Sequence, residues 1–196
     1  MKKGTIGLLV VSVVILMLIG GTLTTYNSLV AKDEAVTTAW GNIQSQYQRR
    51  ADLVPNLVNT VKGYAKHESE TLEGVVEARA KATQIKVDAD NITPEKLKQF
   101  QSAQGELTQA LGRLIAVQEN YPDLKANENF SELQAQLEGT ENRINESRQL
   151  YNAAVQTYNV SVRRFPANIV AGMFGFDKKT QFEAEAGTEK APQVEF

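Results

Sequence analysis

Residues 130–165 read FSELQAQLEGTENRINESRQLYNAAVQTYNVSVRRF, and this stretch decides the fold. Phe130, Leu133, Leu137, Ile144, Tyr151, Ala154, Tyr158, Val162 and Phe165 recur in steps of three and four, with Thr140 and Ser147 at the intervening positions of the same seam. Alternation of this kind over about five heptads marks a long amphipathic helix that meets other helices along one face. Arg163 and Arg164 suit the negative end of such a helix, and Pro166 stops it.

Upstream, Thr93-Pro94-Glu95-Lys96 starts another helix: a capping hydroxyl, a proline at the first helical position, then an acidic first turn. It carries Leu97, Phe100, Gln104, Leu107, Leu111, Leu114, Gln118 and Tyr121 on one seam, and Pro122 ends it. Residues 87–92 form a loop before it, and an Asn- and Asp-rich turn over 122–129 follows. A further seam runs from Val54 through Val58, Val61, Ala65, Leu72, Val75 and Ala82, with Glu68 and Arg79 as polar intruders. A buried charge needs a partner, so these two stand out from the surface charges around them.

Pro55 leaves two readings open. A chain reversal near Arg50, with Asp52 capping a new helix from Leu53 to about Lys86, is preferred, because the first turn of a helix tolerates a proline. The alternative is one long helix kinked at Pro55. Before it, Leu29, Val36, Trp40, Ile43 and Tyr47 give a helical seam over residues 24–48.

Residues 5–23, TIGLLVVSVVILMLIGGTL, carry no charge. They are long enough to cross a bilayer as one helix. They exceed the apolar core of a secretory signal, and no A-x-A cleavage site follows, which points to an uncleaved anchor. Lys2 and Lys3 precede it. The positive-inside bias places the N-terminus in the cytoplasm and the body outside it. No break separates the anchor from the next helix, although Gly20-Gly21 would loosen the junction.

The expected fold is therefore all-α: an N-terminal transmembrane helix followed by an antiparallel up-and-down four-helix bundle. The divisions are a short basic segment at 1–4, the anchor at 5–23, the bundle at 24–165, an apolar segment at 166–176 and an acidic, mostly disordered tail at 177–196. Counting passes brings Phe165 back to the lipid surface near Tyr26. The apolar segment then either lies in the membrane interface, through Ile169, Val170, Met173, Phe174 and Phe176, or folds over the bundle as a plug. Helix lengths imply a bundle that thins to three strands at one end, or breaks near Gly63 and Gly139. At the C-terminus, Pro192, Val194 and Phe196 are a candidate docking peptide, against the alternative of a frayed end.

Chemistry is sparse. The 196 residues hold no cysteine, one histidine and a net charge of −2, which excludes thiol chemistry and argues against a nucleic-acid partner. His67 lies among Glu68, Glu70 and Glu73, but one imidazole beside scattered carboxylates is not a metal-site pattern. Phosphate-binding glycine loops and a nucleophile elbow are absent. No enzyme, metal or cofactor is expected. Arg49, Arg50, Asp52, His67 and Glu68 are candidates for a partner patch at the bundle end away from the membrane, with helix capping and salt bridging as the alternative. Tyr151-Asn152 and Tyr158-Asn159 repeat one heptad apart, a pattern that fixes helix register or lines a small cavity.

The stretches QRRADLVPNLV at 48–58, TVKGYAKHE at 60–68, ENYPDLKA at 119–126 and YNAAV at 151–155, with the closing Pro192-x-Val194-x-Phe196, resemble the signature of the bacterial LemA family over nearly the whole chain from Tyr26 onward. The resemblance implies a membrane-anchored helical bundle of the cell envelope without assigned catalytic residues. A relative linked to magnetosome membranes implies a membrane-organising role. Frequent neighbourhood with membrane metallopeptidases implies a protein partner of that kind, beside lipid and copies of the chain itself. The expected function is a non-enzymatic, single-pass envelope scaffold or adaptor; the alternative is a membrane-shaping or lipid-interacting protein acting through residues 166–176.

Overall fold

The computed structural model describes residues 3–183, apart from the side chains of residues 3–6 and 90. Pro192, Val194 and Phe196, the candidate docking peptide, lie outside the described residues. Among the described residues six α-helices follow one another: α1 (Lys3–Tyr64), α2 (Ser69–Gln84), α3 (Pro94–Ala116), α4 (Pro122–Lys125), α5 (Glu128–Arg163) and α6 (Ala167–Phe174). No strand occurs among the described residues. The long helices α1, α2, α3 and α5 run up, down, up and down as the expected antiparallel bundle, with α1 closest to α5 and α2 closest to α3.

The long apolar N-terminal run and the first bundle rod are the same helix. α1 has 62 residues and spans about 93 Å at the usual rise. Its N-terminal part is long and apolar enough to cross a membrane, and none of the described residues covers it. Gly20-Gly21 do not interrupt it. The hydroxyls of Thr24 and Thr25 donate to the carbonyls of Gly20 and Gly21 at 2.8 Å, so these polar groups are satisfied within the helix, as a helix entering lipid requires.

The preferred reversal near Arg50 is wrong. α1 continues through Pro55 and ends only at Tyr64; the chain turns over residues 65–68, beside Gly63. The reason is local. Pro55 has no N–H for the carbonyl four residues back, that of Ala51. Arg79 of α2 supplies the missing donor, its Nε–H reaching the Ala51 oxygen at 2.8 Å. The apolar phase then carries on across the turn: Val54, Leu57 and Val61 on α1 and Leu72, Val75, Ala78 and Ala82 on α2 are all buried. Gly139 causes no break, since α5 is continuous for 36 residues.

α3 begins as expected, with the Thr93 hydroxyl accepting from the Lys96 N–H. It gives way at Val117–Asn120 to a 3-10 turn, and Pro122 opens the single turn of α4 instead of simply ending a helix. The Asn127 side chain caps α5 by accepting from the Phe130 N–H at 2.9 Å. At this far tip its amide donates to the Tyr64 hydroxyl at 2.8 Å, tying the end of α1 to the start of α5.

The core falls into two apolar clusters. One, at the tip, holds Val54, Leu57, Leu107, Leu114, Phe130 and Leu137. The other, toward the anchor, holds Trp40, Ile43, Tyr47, Phe100, Ile144, Tyr151, Tyr158 and Phe182. Between them lies a buried polar layer of Arg50, Gln104 and Thr140. α2 and α3 stop near the level of Trp40, whose indole N–H donates to the Val87 carbonyl at 2.9 Å. Closer to the anchor the bundle has only α1 and α5, completed by α6 and by residues 176–183. Within that segment Phe182 is core and Phe176, Lys179 and Thr180 are half-buried; the rest of the acidic tail, 184–196, lies outside the described residues.

Arg79→Ala leaves the Ala51 carbonyl unpaired and is expected to lower stability by about 1–3 kcal/mol. In a Pro55→Ala background, where residue 55 brings its own N–H, the same change should lower it less, with a coupling of about 1 kcal/mol. Chemical denaturation of the four variants followed by circular dichroism measures both.

Candidate functional site

The five residues of the expected partner patch do not come together. Arg50 lies at mid-bundle, not at its end, and is 1% exposed. Its Nη1 donates to the Thr108 hydroxyl and to Glu141 Oε1, both at 2.8 Å, and its Nη2 donates to the Gln104 backbone carbonyl at 3.2 Å and to the Gln104 side-chain oxygen. Its guanidinium also sits 5.0 Å from the Tyr47 ring centroid. Through Nη1 and Nη2, Arg50 thus joins α1 to α3 and α5 inside the fold. A guanidinium can only sit there with these acceptors, so sliding one rod past another would strand it. Arg49 and Asp52 are exposed, and Asp52 accepts from Gln48 Nε2 at 2.8 Å within the same helix.

His67 and Glu68 lie in the turn at the tip, beyond the end of α1 and so more than about 20 Å from Arg50 along the helix axis at the usual rise. His67 is exposed. Glu68 is half-buried and accepts from the Tyr121 hydroxyl at 3.2 Å. Desolvation, then the Glu68 carboxylate, pushes the Tyr121 hydroxyl up from its ordinary pKa. Among the described residues no three His, Asp or Glu side chains converge as metal ligands. The tip is an exposed, polar turn.

The other end of the bundle is richer. α6 follows a cis Phe165–Pro166 bond and packs across both α1 and α5. Val170 and Ala171 enter the core, so Val170 belongs to the plug reading, not to the interface one. Phe176 is half-buried against the same cluster. Tyr26 of α1 makes edge-on contacts with Phe174 and Phe176, at 4.9 and 5.6 Å between centroids. Tyr26 lies three residues beyond the end of the anchor, which sets α6 at the anchor's base. Its opposite face stays open: Ile169 is 54% and Met173 71% exposed, joined by Phe165 at 76%, while Phe174, in contact with Tyr26, is still 53% exposed. Phe165 was assigned to the helix seam in the sequence but belongs to this outer face.

From Gly175, in the left-handed region at φ +76°, the chain turns and runs up α5 in extended form. Asn159 holds Lys179 by both main-chain groups: Nδ2 donates to the Lys179 carbonyl at 2.8 Å, and Oδ1 accepts from the Lys179 N–H at 2.9 Å. Asn152 holds Phe182 in the same way, at 3.0 and 2.8 Å. Between them the Tyr151 hydroxyl donates to the Thr180 carbonyl at 2.9 Å. The Phe182 ring lies 5.8 Å from Trp40 and 5.4 Å from Tyr151, with the Arg148 guanidinium 4.9 Å over its face. Lys179 Nζ pairs with Asp33 Oδ1 at 2.5 Å. The repeated Tyr-Asn of the sequence thus grips a peptide segment, not a neighbouring helix. Burial raises both tyrosines to about 12, with Asp33 and then Asp177 adding to the effect on Tyr158.

A model of the LemA family matches residues 39–196. The chain belongs to the LemA family. Relatives of this LemA chain include "Magnetosome protein MamQ 2" of Paramagnetospirillum magneticum, 30% identical over 195 residues, covering 90% of this chain and 71% of the relative. "Magnetosome protein MamQ" of Magnetospirillum gryphiswaldense is 30% identical over 181 residues, covering 83% and 66%. "Protein LemA" of Metamycoplasma hominis is 28% identical over 146 residues, covering 74% and 63%. None of these names is that of an enzyme.

The two tyrosines make a pH prediction. Their pKa lies above the ordinary value of about 10, so the folded LemA bundle holds protons that the unfolded chain releases. The sign follows: this stabilisation is complete below pH 10 and is lost as pH rises toward 12. Absorbance at 295 nm should show two of the six tyrosines ionising only together with loss of helical signal.

Proposed function

We propose that this LemA-family chain is a non-enzymatic, membrane-anchored scaffold that works as a stiff stalk, holding a polar tip at a fixed distance from the lipid for a protein partner. One observation supports this reading: α1 is a single helix from its long apolar N-terminal part to the tip. The helical rods of the body therefore cannot swing on a loop relative to the anchor. α5 braces α1 along the bundle and is tied to it at the tip by Asn127 and Tyr64. The lysines before the anchor favour a body outside the cytoplasm.

A second reading has its own support. The outward face of Phe165, Ile169 and Met173 lies at the base of the anchor, which suits an interfacial contact with lipid by the apolar side of α6. In this reading the inner face of α6 closes the bundle while the outer face rests in the headgroup boundary. The two readings are compatible, since a stalk seated on the bilayer is stiffer than one that stands free.

The stalk reading is tested by complementation of a deletion strain. A flexible Gly-Ser insert after Leu23 should abolish rescue although the bundle stays folded and inserted, and a photocrosslinker at His67 should lose its partner band with it. Full rescue by the flexible variant would end this reading. Lipid contact by α6 is tested in the full chain, which has no native cysteine. An environment-sensitive dye on Met173→Cys should emit as in a bilayer and be quenched by interfacial nitroxide lipids. Emission as in water, without quenching, removes the second reading.

A further inference from the structure

The groove that holds residues 176–183 has the construction of a peptide-recognition site. Asn152 and Asn159 are one heptad apart on α5, so their amides are about 10.5 Å apart along the helix axis. The residues they grip, Phe182 and Lys179, are three apart in extended chain, a span of about 10 Å. The two spacings match, and each amide satisfies both the N–H and the C=O of one residue. This is the hydrogen-bond pattern of an added strand, made by side chains. It reads extended backbone and not sequence.

Sequence is read by two side chains. Phe182 enters the pocket of Trp40, Tyr151 and Arg148. Lys179 pairs with Asp33 and lies 5.5 Å over Tyr158. The ligand the groove fits is therefore an extended segment of the pattern Lys-x-x-Phe. The chain's own residues supply it through the turn at Gly175.

We propose that this groove also takes the same segment from a second copy of the chain, so that neighbouring copies in one membrane exchange their 176–183 segments. Every recognition contact lies beyond Gly175, so none depends on which copy the segment comes from. The anchor sets every copy at the same height, so each segment's starting point and each neighbouring groove share one level. Confinement to the bilayer raises the effective concentration of one for the other. Exchange of an identical element between protomers needs no new interface chemistry. The proposal links copies side by side, and its failure leaves the stalk reading untouched.

The experiment uses the full chain in lipid vesicles. Asp33→Cys is placed on one copy and Lys179→Cys on another of different tagged mass, and a short bismaleimide is added. A chain bearing both substitutions is the control and crosslinks within itself. The expected result is a mixed dimer whose yield falls about tenfold when Asn152→Leu and Asn159→Leu are placed on the Asp33→Cys copy. It should fall likewise when Phe182→Ala is placed on the Lys179→Cys copy, which leaves the receiving groove intact. Absence of the mixed dimer while the control crosslinks internally overturns the proposal. A mixed dimer indifferent to the asparagine and Phe182 substitutions overturns it equally, since it would report only collisions.

Discussion

The hydrogen bond from Arg79 to the Ala51 carbonyl decides how long α1 is. A proline inside a helix leaves one carbonyl bare, and in a packed bundle a bare carbonyl is costly. Because α2 returns a guanidinium to that spot, the helix passes Pro55 and turns only at residues 65–68. One residue before Ala51, Arg50 faces the other way and holds Gln104 and Thr108 of α3 and Glu141 of α5. Two arginines thus tie all the other long rods to α1 within about one helical turn. The apolar clusters above and below this level set how much surface is buried, and the polar level sets how the rods align.

Toward the anchor the problem changes. α2 and α3 end near Trp40, so α1 and α5 continue with one side of each uncovered. The chain fills that space with material of another kind: the loop over 85–93, the short helix α6, and an extended segment pinned by two asparagines. Aromatic rings close the junction, with Trp40 touching Phe100, Tyr151 and Phe182 at 5.5–5.8 Å between centroids. An extended segment can be held against a helix only if side chains replace the strand partner it lacks. Asn is suited to this because its amide both donates and accepts.

What the sequence disclosed follows from period. α5 and α3 are legible because their seams are long, and α3 also because Thr93 before the first turn and Pro94 inside it form a start of ordinary type; the Asn127 cap of α5 lay hidden in the Asn- and Asp-rich turn. The long apolar N-terminal helix is legible from its lack of charge. The reversal was misplaced because Pro55 looks the same at a helix start and in a rescued helix interior; only the distant Arg79, marked as a polar intruder but without a partner, tells them apart. Arg50 was read as surface because nothing local shows that Gln104, Thr108 and Glu141 converge on it. The strap over 176–183 was missed because its partners lie 20 and 30 residues away on α5, and an acidic segment with few apolar residues looks unstructured. The heptad spacing of Asn152 and Asn159 was the one available clue.

The unbroken helix from the apolar N-terminal run to the tip also fixes a bearing. An α-helix turns about 100° and climbs about 1.5 Å with each residue. Adding a single residue between Leu23 and Tyr26 would lift the body only slightly, yet swing it through more than a quarter of a circle about the anchor axis. The outer face of α6 would be carried to a different compass point relative to any neighbour of the anchor in the bilayer. A whole heptad would restore the direction to within about 20° while raising everything by about 10 Å. Height and heading are therefore geared together in this molecule, and only length changes close to a whole number of turns, such as seven, eleven or eighteen residues, could alter the first while nearly preserving the second.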